Sequence, residues 1–180
     1  MITLLVASAL AYSPALRVPL PSEPHVVLAL GAPTSSVAWR DARYGVSVDV
    51  APSGSIAGAS VGVRRLLVGE DTRFRLTVEA DGGLLVPLID PGVGLSVSGS
   101  IQAGWYGERG SGGGFALTSP LAFRFAPGAQ ARLPLLLEGD LAVACGPHLS
   151  LGALVGAGAA FAPGGPPAAT AEASLVVGWR

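Results

Sequence analysis

The sequence predicts an all-β fold, an up-and-down antiparallel transmembrane β-barrel of eight strands. Three observations carry that expectation. Half of the chain is hydrophobic while only 13 % is charged. No stretch is long and apolar enough for a membrane-spanning helix. The apolar residues instead recur at every second position, in runs about as long as the 9–11 residues a bilayer-spanning strand needs.

The composition excludes several other classes. The 180 residues include 26 Gly and 15 Pro, scattered without a G-X-Y period, so the chain is not collagen and one long helical bundle is disfavoured. A formal net charge of −1, with no clustered basic face, leaves no footprint for nucleic acid. The chain is too apolar to be disordered, and its length suits one domain. The single cysteine, Cys145, rules out an intramolecular disulfide and any Cys/His zinc pattern. All 11 cations are arginine and Lys and Asn do not occur, which we read as genome composition rather than function.

A spanning helix takes about 20 mostly apolar residues. Met1 to Leu16 breaks at Ser13-Pro14, and Leu149 to Ala162 holds Gly152, Gly156 and Gly158 before stopping at Pro163. The first of these resembles the core of an export signal, with Ala9-Leu10-Ala11 as an A-x-A cleavage site. Residues 1–11 are therefore expected to be a signal peptide. Residues 12–36 are expected to be a Pro-rich N-terminal linker, within which His25 to Leu30 is apolar enough for one short strand. Residues 37–180 form the barrel domain.

The strands follow in order. Tyr44 to Val50 places Val46, Val48 and Val50 opposite Gly45, Ser47 and Asp49; Ser55 to Leu67 opposes Ala57, Ala59, Val61 and Val63 to Gly58, Ser60, Gly62 and Arg64. Arg73 to Ala80 is the clearest, with Phe74, Leu76, Val78 and Ala80 against Arg73, Arg75, Thr77 and Glu79. Val93 to Trp105, Phe115 to Phe125, Leu133 to Val143, Leu149 to Phe161 and Ala171 to Arg180 continue the pattern, with Leu136 as a mismatch. Turn residues separate the runs: Ala51-Pro52-Ser53-Gly54, Gly69-Glu70-Asp71, a long segment from Asp81 to Gly92, Gly107 to Gly114, Ala126-Pro127-Gly128, Gly146-Pro147 and Ala162 to Pro167. Ten strands is the alternative, if His25 to Leu30 pairs and Leu84 to Ile89 forms another strand after an Asp81-Gly82 turn.

Charge and aromatics decide which face meets what. The polar faces carry Asp49, Arg64, Arg73, Arg75, Glu79, Arg124, Glu138, Asp140 and Glu172, whereas the apolar faces of the central segments carry no charge. A transmembrane barrel turns the apolar face to lipid and encloses the charges, which then pair as a structural network in a side-chain-filled lumen. With eight strands and both termini in the periplasm, Trp39, Tyr44, Phe74, Trp105, Tyr106, Phe115 and Trp179 fall toward one set of strand ends. Phe123, Phe125 and Phe161 fall toward the other, as two aromatic girdles require.

These features resemble the small eight-stranded outer-membrane barrels of Gram-negative bacteria, of the OmpA membrane domain and OmpX kind. The resemblance covers about residues 37–180 and rests on alternation, strand length, girdles and the C-terminal strand. That strand, Ser174-Leu175-Val176-Val177-Gly178-Trp179-Arg180, is similar to the terminal signal read by the barrel-assembly machinery, with its aromatic residue penultimate. The resemblance implies a porin-like membrane architecture, an outer-membrane location reached through a signal peptide, and outer-membrane lipid and the assembly machinery as partners. A monomer is expected.

No catalytic residue, cofactor or metal site is expected. His148-Leu149-Ser150 is an H-x-S pair at a turn, and residues 151–171 hold no Glu to complete it. The carboxylates Glu79, Glu138, Asp140 and Glu172 are interleaved with arginines, which favours ion pairing over hydrolysis. Gly110 to Gly114 lacks the Lys-Ser or Lys-Thr of a phosphate loop. Two functions remain: a non-enzymatic outer-membrane barrel with a structural or surface-interaction role carried by the loops at residues 81–92 and 162–170, or a soluble exported β-barrel or sandwich that binds an apolar ligand inside.

Overall fold

In the computed structural model every alternating run from Tyr44 onward is a strand, and the strands close into one antiparallel up-and-down barrel. The structure describes residues 13–17, 25–32, 34–53, 56–69, 73–87, 93–107, 111–125, 130–161 and 163–179. A short helix α1(Pro14–Arg17) is followed by β1(His25–Ala32), β2(Ser35–Arg40), β3(Tyr44–Ser53), β4(Ile56–Val68), β5(Phe74–Pro87), β6(Gly94–Tyr106), β7(Gly112–Arg124), β8(Gln130–Ala144), β9(Leu149–Phe161) and β10(Ala168–Trp179). Each strand pairs with its sequence neighbours, and β1 closes the ring on β10 from Val26↔Trp179 to Ala32↔Ala173.

The count is ten strands rather than eight. The eight runs read from the sequence are β3 to β10, and the wall begins at His25 instead of residue 37. Of the two additional strands, the expected segment His25 to Leu30 forms β1 and extends to Ala32, but the other is Ser35–Arg40 and not Leu84 to Ile89. The expected turn at Asp81-Gly82 lies inside β5, which runs on to Pro87. Asp81 faces inward and accepts a hydrogen bond from Ser98 Oγ at 3.0 Å, while Leu84 and Val86 continue the outward row. Ladder pairs on both sides hold this stretch extended: Gly62↔Asp81 toward β4 and Asp81↔Ser98 toward β6. Adding one whole hairpin preserves the direction of every later strand, so the aromatic positions keep their ends. The signal-peptide segment 1–11 lies outside the described residues, as do residues 88–92.

The register fixes the barrel's shape. From Ala29 the ladder reaches Ser96 on β6 through Ser36, Asp49, Ser60 and Gly83. The other way round it reaches Tyr106 on the same strand through Val176, Gly152, Ala142 and Gly112. This stagger of ten residues, equal to the strand number, sets a tilt of about 35° at about 3.3 Å rise and about 4.8 Å strand spacing. The wall is uneven. β10 extends from Ala168 although its last partner on β1 is Ala173, so the rim dips over the β1–β2 hairpin at the end away from Trp179. Backbone demands on glycine are few: φ is 96° at Gly69, just after β4, and 74° at Gly164, in the β9–β10 turn.

Alternation now has a physical outcome on every strand. Burial in β6 and β10 switches residue by residue, with serines, Gln102, Glu172 and Val176 inside and Leu95, Val97, Ile101, Trp105, Leu175 and Trp179 outside. The end of the barrel at which β10 finishes, the proximal end, carries Trp39, Tyr44, Phe74, Trp105, Phe115 and Trp179 on its outer surface, and Phe123, Phe125 and Phe161 are exposed toward the distal end. Tyr106 is half-buried at the proximal rim, where the Arg75 guanidinium stacks 4.3 Å from its ring centroid. Trp39 and Trp179 flank Val26 on neighbouring strands, and the Trp105 and Phe115 rings meet at 5.7 Å.

Candidate functional site: the barrel lumen and its helical plug

Eight strands make an interior that side chains just fill, and ten make a wider one. This lumen is lined with small residues, among them Ser47, Ser60, Ser98, Ser100 and Ala116, so its own wall leaves space at the axis. The chain fills that space with itself. Helix α1, four residues long, lies inside the barrel with all four residues buried.

The two sides of the lumen differ, and α1 matches both. Val27, Ala29, Ala38, Ala142, Leu154 and Val176, from β1, β2 and β8 to β10, form a buried apolar cluster that receives Ala15 and Leu16. The opposite side is polar and charged, and it receives Arg17. Arg17 Nε donates to Glu79 Oε2 at 3.3 Å, and Nη1 donates to Thr118 Oγ1 at 2.9 Å and to Glu138 Oε2. Arg17 thus bridges β5, β7 and β8 across the interior.

A four-residue helix leaves nearly all of its backbone groups without intrahelical partners. The wall supplies them. Ser13 N–H donates to Glu79 Oε1 at 3.0 Å and Ala15 N–H to Ser36 Oγ at 3.0 Å. At the other end, Arg40 Nη1 donates to the Leu16 carbonyl at 3.0 Å and Gln102 Nε2 donates to the Arg17 carbonyl. An acid at the helix start and a cation at its finish is the arrangement the helix dipole favours. Gln102 also donates to Asp140 Oδ2 at 2.9 Å, tying this cap to the charged side.

Among the described residues the buried acidic side chains are Asp49, Glu79, Asp81, Glu138, Asp140 and Glu172, and the buried arginines are Arg17, Arg40, Arg64 and Arg75. Of the sequence-expected set, Asp49, Arg64, Arg75, Glu79, Glu138, Asp140 and Glu172 face this interior. Arg73 does not: it precedes β5 and is exposed at the proximal rim, because the strand starts one residue later. The Arg124 side chain lies outside the described residues. Three buried charges escaped the sequence reading. Arg40 and Asp81 continue the inward rows of β2 and β5, a signal the period could have supplied. Arg17 belongs to no strand, and only the adjacency of Leu16 and Arg17 hints at a segment facing two environments.

Local packing explains why glycines sit on the inner wall. Gly156 of β9 lies opposite Glu138 of β8 and Glu172 of β10, and a Cβ there would come within 2.8 Å of both Glu138 Cγ and Glu172 Cγ. Gly45 does the same for the plug, since a Cβ would lie 2.8 Å from Leu16 Cδ2. Replacing Gly156 with Val is expected to destabilise the barrel by about 1–3 kcal/mol through overpacking of two buried carboxylates. Chemical denaturation of the purified variant checks it, and an unchanged midpoint would show that the glutamates rearrange freely.

The remaining candidates separate in space. His148 is exposed in the β8–β9 turn while Ser150 is buried on β9, so the H-x-S pair shares no site. Cys145 is an exposed free thiol. Among the described residues no group of three or more His, Cys, Asp or Glu is placed to hold a metal ion. Of the two expected loops, residues 81–87 are strand, and only the exposed turn at 163–167 remains of the second before β10 begins.

The fold and interior define a class: a closed ten-stranded antiparallel β-barrel whose lumen is occupied by its own N-terminal segment. No family model, curated protein or solved structure matches the chain.

Proposed function

We propose that the chain is a non-enzymatic, membrane-spanning β-barrel protein of the outer-membrane kind, with a lumen sealed by α1 and a structural or surface-interaction role. One observation carries this reading. Val48, Val61, Val97, Ile101, Leu117, Leu137, Val155 and Leu175, distributed around the wall from β3 to β10, are each more than half exposed, while Asp49, Arg64, Arg75, Glu79, Asp81, Glu138, Asp140 and Glu172 lie inside and Arg65 is the exposed charge on the outward row near the proximal end of β4. A water-soluble monomer exposes apolar patches of a few hundred Å² at most, not a continuous belt. Along β6 the outward row from Leu95 to Trp105 contains only apolar residues, and at the barrel's tilt it spans about 27 Å, close to the apolar band of membrane barrels. Closure also leaves no lipid-facing sheet edge along the paired length, as a bilayer demands.

The reading keeps the architecture of outer-membrane barrels but departs from the eight strands of the OmpA and OmpX kind. Its partners are outer-membrane lipid and, through the β10 segment ending at Trp179, the barrel-assembly machinery. A leader cut after Ala11 would leave α1 inside the mature chain, and N-terminal sequencing that begins at Tyr12 supports it, whereas a mature protein still beginning at Met1 contradicts it. The soluble, ligand-binding alternative is disfavoured by an interior of carboxylates, arginines and serines that already contains Leu16 and Arg17.

Cell fractionation tests the proposal. The protein is expected in the membrane fraction, released only by detergent, and to migrate differently before and after boiling. Recovery in the soluble fraction without detergent contradicts it.

A further inference from the structure

We propose that the lumen is a cation passage and that α1 is its removable gate. The inference rests on the membrane-spanning reading above and goes beyond a merely filled lumen.

The first support is where the charges sit. On β5, Arg75 lies proximal to Glu79 and Asp81; Arg40 ends β2 at the proximal rim; Arg64 lies in the proximal half of β4. Among the described side chains the buried wall arginines therefore lie toward the proximal end, and Asp49, Asp81, Glu138 and Glu172 lie around the middle and distal part. With α1 in place six buried acids face four buried arginines among the described side chains, and Arg17 is the one of those cations that the wall does not own. Seated between Glu79 on β5 and Glu138 on β8, Arg17 occupies the acidic zone as a bound cation.

A second, independent feature points the same way. Asp49 Oδ1, Asp81 Oδ1 and Glu138 Oε1 are buried and accept no hydrogen bond among the described residues, although each residue is at least nine-tenths buried. The wall thus presents acceptors that its own donors do not saturate. Rings of acidic side chains select cations in pores.

The third support is how α1 is attached. The hydrogen bonds that tie it to β2, β5, β6, β7 and β8 all involve wall side chains, and it adds no rung to any ladder. The ring closes through β1 and β10 without it. Withdrawal therefore breaks no strand pairing. A helical turn with its side chains is about 10 Å across, so its departure opens an axial passage of up to about that width, lined by the acids and by the apolar cluster.

Planar-bilayer recording of the full-length protein in a KCl gradient tests the gate. The wild type is expected to insert and remain sealed, as is Arg43→Glu, which reverses an exposed charge in the β2–β3 turn. Arg17→Glu is expected to conduct, with cations favoured over anions by more than about fivefold; adding Glu138→Gln and Glu172→Gln to it is expected to bring that ratio toward unity. Arg17→Gln decides the matter if Arg17→Glu does not fold, as judged by mobility before and after boiling. An inserted Arg17 variant that stays as sealed as the wild type overturns the gate, as does anion-selective current or a wild type that is constitutively open. Failure of every form to enter the bilayer is a different result, and it overturns the membrane-spanning reading itself.

Discussion

Replacing Ile101 with Arg is expected to destabilise the lipid-inserted barrel by about 2–4 kcal/mol, the cost of a cation near the bilayer midplane. Ile101 points outward at mid-length on β6, is 58 % exposed, and has Val78 of β5 and Leu117 of β7 as its cross-strand neighbours on the outer face. The same substitution at Leu67, outward near the proximal end of β4, is expected to cost only about 0–1 kcal/mol. Urea titration of folding into phospholipid vesicles measures both. The contrast has diagnostic value because its sign depends on the solvent: if this surface met water, an arginine at Ile101 would be neutral or would improve solubility. Equal effects at the two depths would contradict a lipid-facing belt.

Loss of the Glu138 carboxylate is expected to be the largest interior effect. Glu138 is 1 % exposed and pairs with Arg17, which is itself fully enclosed. Removing one member of a buried ion pair commonly costs about 3–5 kcal/mol, because the partner is left charged and desolvated. Glu138→Met should approach the lower end, since Glu79 and Thr118 still hold the guanidinium. Adding Arg17→Met should recover part of the loss, making the pair non-additive. Denaturation of the two single variants and the double variant measures the coupling, and strict additivity would show that Arg17 and Glu138 do not act together.

The wall was legible because its physics is local. In Arg73 to Ala80 or Val93 to Trp105 each residue declares its side, and a sheet with two different environments turns that period directly into burial. β2 was not legible: Ser35–Arg40 is six residues long and offers only Val37 and Trp39 as outward apolar positions. Asp81-Gly82-Gly83 misled for the opposite reason. Its residues favour turns in isolation, but ladder pairs to Gly62 and Ser60 on β4 and to Ser98 and Ser96 on β6 hold them extended. Tertiary pairing overrode local preference there.

The interior was partly legible. Asp49, Glu79, Glu138 and Glu172 followed from the inward rows, because a strand residue's face is set by its neighbours two positions away. The seal did not follow. Ser13 to Arg17 sits in a proline-rich stretch with no period, and its role exists only once β1 to β10 have closed around it. Leu16 and Arg17 are informative only beside Val27 and Leu154 on one side and Glu79 and Glu138 on the other.

In the proposed membrane-spanning role the outer surface meets lipid, with the proximal aromatics at the interface. The chain's three tryptophans, Trp39, Trp105 and Trp179, all face outward at the proximal end. Tryptophan fluorescence of the folded protein in vesicles of phosphatidylcholines brominated at different acyl positions measures their depth. Strong quenching by bromines nearest the headgroup, weakening toward the bilayer centre, is the predicted result; no quenching at any position, or a maximum at the centre, would contradict it.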